Sequence, residues 1–458
     1  MSDTFLLGCG AGFSGDRVDA PGPVVDHIAA SPHPGGLMLE TLGERTLALA
    51  QNARLRDPEA GYEPLLEQLV APILPRCIAH GIPVVGNFGA ANPEAAARAI
   101  SRIAATAGGP APRIGVVTGD DIRDRLAEIE AVLWEGEDEG TAIPREGIIA
   151  ANVYLGAGAV ADALGQGAEI VVTGRVADPA LALGMLMHHF SWAADDWPRL
   201  AAGALAGHLA ECGAQVTGGY FADPGLKDVP GMASIGFPVI EVTADGGLTV
   251  TKPPGTGGRV DTRTVKEQLL YEVHDPAQYI TPDVVLDLMD VTVDQTGEDR
   301  VAVGGVRGRP ATQSYKVTVS VPGGWLGEAE ISYAGPGAAS RARLAADTIR
   351  ERLKRRGLAL RTRLDLIGVA SVLDDDDGSL AAAAHTAPDD VRVRLAVEAP
   401  DKREVEAATQ EVLALLCCGP AGGGGLRRHH VRRIRTVSCL VAKSAVTPRI
   451  AILGGDRR

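Results

Sequence analysis

In the first half of the chain, short apolar runs alternate with longer stretches whose apolar residues recur at helical spacing. The stretches Leu65–Ala79, Pro93–Ala107 and Asp121–Trp134 are predicted helices, and Pro93 and Pro179 are each expected at N1, the first position of a helix. Short β-branched runs separated by helices predict βαβ units, and hence a mostly parallel sheet with helices on both faces. The six predicted strands are Phe5–Gly8, Gly36–Leu39, Pro83–Gly86, Arg113–Thr118, Ile148–Ala151 and Glu169–Thr173.

The second half of the chain has a different pattern. Ser314–Val321 alternates between apolar and polar residues, 322–324 reads Pro-Gly-Gly, and Gly327–Tyr333 alternates again, so a β-hairpin is predicted there. From Gly327 onward the predicted order is β-α-β-β-α-β, the ferredoxin-like order. We therefore expect an α/β domain over residues 1–250 and an α+β ferredoxin-like domain over residues 251–458. The remaining predicted elements of that domain are helices Ala338–Arg356 and Lys402–Leu416 and strands Leu364–Val372, Val391–Val397 and Thr436–Val441.

Charge and cysteine usage narrow the class of protein. The formal net charge of −14 argues against nucleic acid as a partner, because such proteins are usually basic. The six cysteines include no Cys-x-x-Cys pair, so reduced thiols and a cytoplasmic location are expected. No run of 18 apolar residues occurs, which predicts no membrane span. The 57 glycines predict many tight turns where the backbone approaches something closely.

The residues that follow the predicted strands indicate a binding site. The carboxyl ends of parallel strands share one edge of a sheet, and ligands of open α/β sheets bind at that edge. Carboxylates, amides and arginines beside glycines at that edge predict a site for a small anionic substrate. The strand-end residues are Gly10–Arg17, Glu40, Thr41, Glu44, Arg45, Asn87–Asn92, Gly119–Asp121, Asn152, Tyr154, Gly174, Arg175 and Asp178.

Four of these residues are predicted to be catalytic. Arg17 and Arg175 are expected to clamp a carboxylate, and Asp16 or Asp178 is expected to exchange a proton. The alternative is that each Arg–Asp pair only ties loops together. Amides of asparagine and glycine are expected to stabilise an enolate-like oxyanion. The predicted substrate-binding residues are Gly12, Gly15, Glu44, Asn87, Asn92, Asn152, Thr217, Gly218, Lys252 and Gly257.

Two glycine-rich motifs raise the question of a cofactor. Gly10-x-Gly12-x-x-Gly15 has the dinucleotide spacing, but Asp16 would face the diphosphate, and Pro21-Gly22-Pro23 would interrupt a helix in its first two turns. NAD is therefore disfavoured. The loop Lys252–Arg259 fits either an anion-binding loop or a plain linker. The histidines are not spaced as metal ligands usually are, so no metal site is predicted. Binding of a divalent cation by carboxylates at the sheet edge is an alternative, because such ligands need no fixed spacing in sequence.

Several segments, read in order, resemble the acyclic terpene utilisation protein AtuA family. The family takes its name from bacterial catabolism of citronellol- and geraniol-type terpenes through acyl-CoA thioesters, and the biochemical role of its members is commonly undefined. Related chains often continue into, or are encoded beside, a small AtuA-like ferredoxin-fold domain, which is not expected here. Ser14 stands where relatives often carry an aromatic residue. The matching segments are 12–17, 44–46, 87–93, 151–156, 172–179, 205–208, 211–219, 236–238 and 252–258.

Residues and resemblance together predict an enzyme that acts on a small carboxylic acid or its CoA thioester. The expected chemistry is that of a lyase or hydratase, in catabolism or specialised metabolism. The alternative is a non-catalytic acyl-CoA-binding or scaffold subunit that works with a small AtuA-like ferredoxin-fold partner. In either case a homo-oligomer is expected, with neither nucleic acid nor a membrane as partner.

Overall fold

A computed structural model describes residues 3–108, 110–385 and 387–454. The protein is a mixed α/β structure with two compact units, residues 1–320 with 436–458 and residues 321–435. The chain passes from one unit to the other within the long strands β15 and β18. The strands are β1 Thr4–Gly12, β2 Gly35–Glu40, β3 Val84–Gly86, β4 Ile114–Thr118, β5 Ala131–Leu133, β6 Ala150–Val153, β7 Ile170–Thr173, β8 Val239–Thr243, β9 Leu248–Thr251, β10 Tyr279–Ile280, β11 Val284–Asp287, β12 Thr292–Gly297, β13 Arg300–Gly304, β14 Arg307–Pro310, β15 Ser314–Ala334, β16 Arg361–Ile367, β17 Asp390–Ala399, β18 Gly424–Ala442 and β19 Arg449–Leu453.

Twelve α-helices lie within the described residues. Pro93 is the first residue of its helix, as predicted, whereas Pro179 is the second residue of its helix, after Asp178. Both positions suit proline, because an N–H group in the first turn has no acceptor within the helix and proline has no N–H. The helices are α1 Pro21–Ala30, α2 Glu44–Arg56, α3 Leu66–Val70, α4 Leu74–His80, α5 Pro93–Thr106, α6 Gly158–Gly165, α7 Asp178–Phe190, α8 Trp197–Glu211, α9 Thr262–Leu270, α10 Ala338–Arg355, α11 Ser379–Ala383 and α12 Lys402–Cys418.

The first unit is built on a mixed ten-stranded sheet in the order β12-β13-β9-β8-β1-β2-β3-β7-β4-β19. The central strands β1, β2, β3, β7 and β4 are parallel, whereas the strands on both flanks are antiparallel to their neighbours. The expectation of a mostly parallel sheet is therefore wrong for the whole sheet and correct for its centre. We call the edge where the five central strands end the carboxyl edge.

Helices cover both faces of the central sheet. Gly35 and Gly36 are successive residues of β2 and so face opposite sides. Gly35 packs against Ile28 of α1, and Gly36 packs against Met185 of α7. Every residue of β2 is buried, as expected for a strand that is covered on both faces.

Four local predictions are wrong. The predicted fifth parallel strand is β6, which instead pairs antiparallel with residues 317–320 of β15. The predicted helix Asp121–Trp134 contains one short 3₁₀ turn and then strand β5. The predicted hairpin at 322–324 is a continuous strand, since β15 runs through these residues. Pro21 and Pro23 do not interrupt a helix but begin α1, because both lie in its first turn.

The second unit carries the sheet order β16-β17-β15-β18, with α10 and α12 packed on β17. Its own core includes Ile331, Ile349, Val393 and Val412, from both strands and helices. The ferredoxin-like description and the domain division at residues 250/251 stay predictions. No helix within the described ranges is long and apolar enough to span a lipid bilayer.

Candidate active site at the carboxyl edge

A buried arginine lies at the centre of the carboxyl edge. Arg175, which directly follows β7 and Gly174, is 3% exposed. Its Nη1 and Nη2 donate to the two carboxylate oxygens of Asp178, at 2.9 and 3.2 Å, and Nη1 also donates to the carbonyl oxygen of Leu42. The guanidinium carbon lies 4.0 Å from the centre of the Tyr154 ring. Among the described residues, no acceptor lies within hydrogen-bonding distance of its buried Nε.

Asp178 begins helix α7 and so combines two sources of stabilisation. The positive end of the helix dipole and the guanidinium of Arg175 both favour its carboxylate form. Burial raises the pKa of Asp178, and the charge of Arg175 opposes that rise. The paired geometry therefore holds a charged couple in a largely water-free setting.

Glu40, the last residue of β2, is a buried carboxyl group beside this pair. Its Oε1 accepts hydrogen bonds from the backbone nitrogen of Leu42 at 2.8 Å and from Nδ2 of Asn87 at 2.9 Å. Asn87 is held in turn, since its Oδ1 accepts from the backbone nitrogen of Thr41 at 2.8 Å. Burial, followed by the negative charge of Asp178, raises the pKa of Glu40 to about 8. Glu40 can therefore gain or lose a proton near neutral pH.

Glu44 and Tyr154 form the other side of the cluster. The Tyr154 hydroxyl donates to Glu44 Oε1 and lies 3.2 Å from Thr318 Oγ1, and Lys316 Nζ is 3.7 Å from the same Glu44 oxygen. Although burial alone would raise the pKa of Glu44, the charge of Arg175 and the hydrogen bond from Tyr154 lower it to about 2. Glu44 is therefore a fixed negative charge. We call Glu40, Glu44, Tyr154, Arg175 and Asp178 the Arg175 cluster.

A second buried carboxyl group supports the loop that carries Arg175. Asp120 Oδ2 accepts from the backbone nitrogen of Arg175 and from Nδ2 of Asn152, both at 2.8 Å. Burial raises the pKa of Asp120 to about 6, against the pull of these two donors. Asn152 thus reaches the site through Asp120 and helps to set the direction of the Arg175 backbone.

Comparison with known proteins assigns the family. The model of the acyclic terpene utilisation family protein AtuA matches residues 5–452, nearly the whole chain. The chain belongs to the AtuA family. A search of curated proteins returns no match, and a search of solved structures returns none either. The family predicted from sequence is therefore confirmed.

In this AtuA-family protein, the predicted residues Asp16 and Arg17 lie in a separate turn after β1. The carboxylate of Asp16 accepts from the backbone nitrogens of Gly12 and Arg17, at 2.8 and 2.7 Å, and so closes the turn. Gly15, which lies in this turn, has a φ of 93°. The guanidinium of Arg17 pairs with Asp19 at 2.8 Å and donates to the Ile235 carbonyl oxygen at 3.1 Å. Arg17 and Arg175 thus do not share a partner within the described residues.

Asn92 has a structural position at the start of α5. Its Oδ1 accepts from the backbone nitrogen of Ala95, and its Nδ2 donates to the carbonyl oxygens of Pro58 and Ala60, at 2.8 and 2.7 Å. The side chain is an N-cap that also ties down a neighbouring loop.

The predicted binding residues Thr217, Gly218, Lys252 and Gly257 gather in another group of loops. Lys252 Nζ donates to the Thr256 carbonyl oxygen and pairs with Asp299, each at 3.0 Å. Gly257 lies so close to the Gly231 backbone that a Cβ would collide with it. Gly218 has a φ of 108°, and the Thr217 carbonyl oxygen accepts from the nitrogen of Arg259 at 2.7 Å. Gly257 thus makes room for neighbouring backbone, and Gly218 makes room for the side chain of Val229.

The sequence prediction assigned no role to the residue with the most informative chemistry, Glu40. Glu40, Asp120 and Tyr154 all follow or end predicted strands. Their position at the sheet edge could therefore be predicted from the sequence, but their burial could not. His208 and Glu211, on α8, are a buried pair with no strand-end signal. The described residues bring no three His, Cys, Asp or Glu side chains together as ligands for a metal ion.

Proposed function

We propose that this protein is an enzyme that acts on a small carboxylic acid or its CoA thioester by proton transfer, as lyases and hydratases do. Membership of the AtuA family suggests a role in acyclic terpene utilisation. The reaction itself is inferred from the Arg175 cluster, which combines a proton-exchanging carboxyl group with a buried cation. Such combinations of perturbed groups are typical of active sites.

The observation that carries the proposal is the state of Glu40. Its carboxyl group is 7% exposed, accepts two N–H donors, and has its pKa raised to about 8. A general acid or base works best when its pKa lies near the working pH. Glu40 would remove or return the proton on the carbon next to the substrate carbonyl group.

Arg175 would stabilise the negative charge that forms on the substrate. Its two Nη atoms already donate to Asp178, so Arg175 would not form the bidentate clamp on the substrate that was predicted from sequence. It would act instead through its positive charge and its Nε–H donor. A preorganised cation in a buried site stabilises a developing oxyanion strongly. Asp178 holds the guanidinium in place, and Asn87 holds the carboxyl group of Glu40.

A hydrogen-exchange assay tests this proposal. Butyryl-CoA and 3-hydroxybutyryl-CoA are incubated with the protein in D₂O, and deuterium incorporation is followed by mass spectrometry. Glu40→Gln keeps the size of the side chain but removes the exchanging proton, so we expect the exchange rate to fall by about 100-fold or more. Glu63→Gln is the matched control, because Glu63 is also buried and accepts a backbone N–H two residues on, at 3.0 Å.

Two outcomes would contradict the proposal. Exchange by Glu40→Gln at the wild-type rate would remove Glu40 from the reaction. Binding of both thioesters without any exchange by the wild-type protein would instead support the alternative, an acyl-CoA-binding subunit without chemistry of its own.

A further inference from the structure

The last turn of α8 carries a buried charged pair outside the Arg175 cluster. His208 is 1% exposed, and its Nδ1 lies 2.9 Å from Glu211 Oε1. Its Nε2 lies 3.2 Å from the carbonyl oxygen of Leu269, which can only accept, so Nε2 carries a proton. One further proton lies between Nδ1 and Oε1, whichever atom holds it. Glu211 Oε1 is therefore fully used within the pair.

Two other acceptors at this turn have no donor. Among the described residues, none donates to the buried Glu211 Oε2 or to the buried Gln268 Oε1. The orientation of Gln268 is settled, because its Nε2 donates to the His208 carbonyl oxygen at 3.0 Å and a reversed amide would place two oxygens together. Gln268 is 2% exposed and Glu211 is 8% exposed. Buried acceptors without donors are rare in folded proteins and call for an explanation.

This turn borders the carboxyl edge. A Cβ on Gly207 would lie 2.7 Å from the Cα of Pro179, so α8 ends beside the start of α7, where Asp178 lies. On its other side, Gly12 at the end of β1 packs against the backbone of Cys212. Burial raises the pKa of Glu211, and the charge of Asp178 adds to that rise. The unsatisfied acceptors thus lie next to the Arg175 cluster.

We propose that Glu211 and Gln268 recognise a hydroxyl group of the substrate, so that the preferred substrate is a hydroxy acid or its thioester. This inference rests on the proposed function, because the acid or thioester group would bind at the Arg175 cluster. The substrate hydroxyl donates to Glu211 Oε2 or Gln268 Oε1. His208 is a positioning residue that holds Glu211 through Oε1. An analogue without the hydroxyl leaves the acceptor in use unpaired, and sites built in this way discriminate strongly.

Three probes test the inference by binding alone: 3-hydroxybutyryl-CoA, butyryl-CoA and 1,3-butanediol. Calorimetry measures the affinity of the protein for each thioester, and saturation-transfer difference NMR detects binding of the diol. We expect the wild-type protein to bind the hydroxylated thioester at least about tenfold more tightly than butyryl-CoA. Glu211→Met removes the Oε2 acceptor together with the partner of His208, and Gln268→Met removes the Oε1 acceptor. The preference should be lost in the variant that lacks the acceptor in use, through weaker binding of the hydroxylated thioester. Gln268→Met, on α9, is the second variant, and Glu63→Met is the control for loss of a buried glutamate.

Equal affinity of the wild-type protein for the two thioesters would overturn the inference and leave the proposed function intact. A preference that persists in both folded variants, Glu211→Met and Gln268→Met, would overturn it as well. Binding of the diol, lost in Glu211→Met or Gln268→Met, with no binding of either thioester would support the hydroxyl site and contradict the proposed function. Binding of none of the three probes would contradict both.

Discussion

Each compact unit contains an Arg–Asp pair with one buried partner, but the buried partner is the carboxylate in one unit and the guanidinium in the other. In the second unit, Asp365 is fully buried and accepts from Arg363 at 3.0 Å and from Arg394 at 2.9 and 2.6 Å. Two partly exposed guanidinium groups thus serve one carboxylate. In the first unit, one buried guanidinium, that of Arg175, pairs with Asp178 and lies beside two further carboxyl groups, Glu40 and Glu44.

The difference separates a structural ion pair from a candidate active site. Two guanidinium groups neutralise the charge of Asp365, and both of its carboxylate oxygens accept hydrogen bonds. The carboxylate therefore has no unpaired oxygen that could bind a ligand. In the Arg175 cluster the charge of the cation is mostly used by Asp178. Burial, followed by the negative charge of Asp178, raises the pKa of Glu40, and the Arg175 Nε is left without an acceptor in the described residues. Charge balance and unused donors, rather than the presence of an Arg–Asp pair, distinguish the candidate site from the structural ion pair.

The largest expected effect comes from removal of the cation in each unit. Arg175→Ala removes a buried guanidinium and the cation of Asp178, whose side chain is 31% exposed, and should lower the free energy of unfolding by about 3 kcal/mol. Arg394→Ala leaves Asp365 paired with Arg363 and should cost about 1–2 kcal/mol. Urea unfolding followed by circular dichroism measures both variants. Equal losses in the free energy of unfolding would show that Asp178 and Asp365 depend on their arginines to the same extent, which contradicts the comparison.

A smaller effect should appear in the pH dependence of stability. Because the pKa of Glu40 is raised from its ordinary value of 4.5 to about 8, the folded state holds a proton that the unfolded state releases. Between these values, stability falls as pH rises, and above pH 8 the effect is constant. From pH 6 to 7.5 this carboxyl group alone should lower the free energy of unfolding by about 2 kcal/mol.

The comparison of wild type with Glu40→Gln isolates that contribution. In the variant, the free energy of unfolding should lack the decrease with pH that Glu40 causes. The stability of the variant relative to wild type should therefore increase from pH 6 to pH 7.5. Urea unfolding at a series of pH values gives the difference. A difference that does not change with pH would mean that Glu40 is ionised throughout this range, which contradicts its proposed role.

The sequence predicted which residues lie at the carboxyl edge better than it predicted their contacts. The carboxyl edge was predicted because strand ends can be read from apolar runs, and Arg175, Asp178, Glu44, Asn87 and Asn152 do gather there. Asp16 and Arg17 are also strand-end residues, but their partners are in their own turn or, for Arg17, at Ile235, far along the chain. Such partners have no local pattern.

The antiparallel strands were missed for a related reason. The strand β6 resembles its parallel neighbours in composition, and only its pairing with residues 317–320 of β15 distinguishes it. Likewise the Pro-Gly-Gly segment at 322–324 has the composition of a turn, yet β15 continues through it, because long-range pairing outweighs local preference. Sequence patterns therefore predicted element types at the centre of the first unit and failed where distant strands decide the structure.

The smallest expected effect compares two buried tyrosines, one in each unit. The hydroxyl of Tyr154 donates to Glu44 and lies 3.2 Å from Thr318 Oγ1. Tyr333 is fully buried, and no partner for its hydroxyl lies within the described residues. Tyr154→Phe keeps the ring over Arg175 but removes a hydrogen bond to a charged group, so it should cost about 1.5 kcal/mol. Tyr333→Phe removes only an unsatisfied hydroxyl and should be neutral or slightly stabilising.

Thermal and urea unfolding of the two Tyr→Phe variants give these values under identical conditions. Tyr154→Phe should also raise the pKa of Glu44 towards its ordinary value, because that carboxylate loses a donor that lowers it. The stability that Glu44 contributes is present above pH 4.5 and is lost as pH falls towards about 2, so the variant should differ most from wild type above that window. If Tyr333→Phe proves the more costly change, hydrogen bonding at the carboxyl edge does not hold the Arg175 cluster together in the way the contacts indicate.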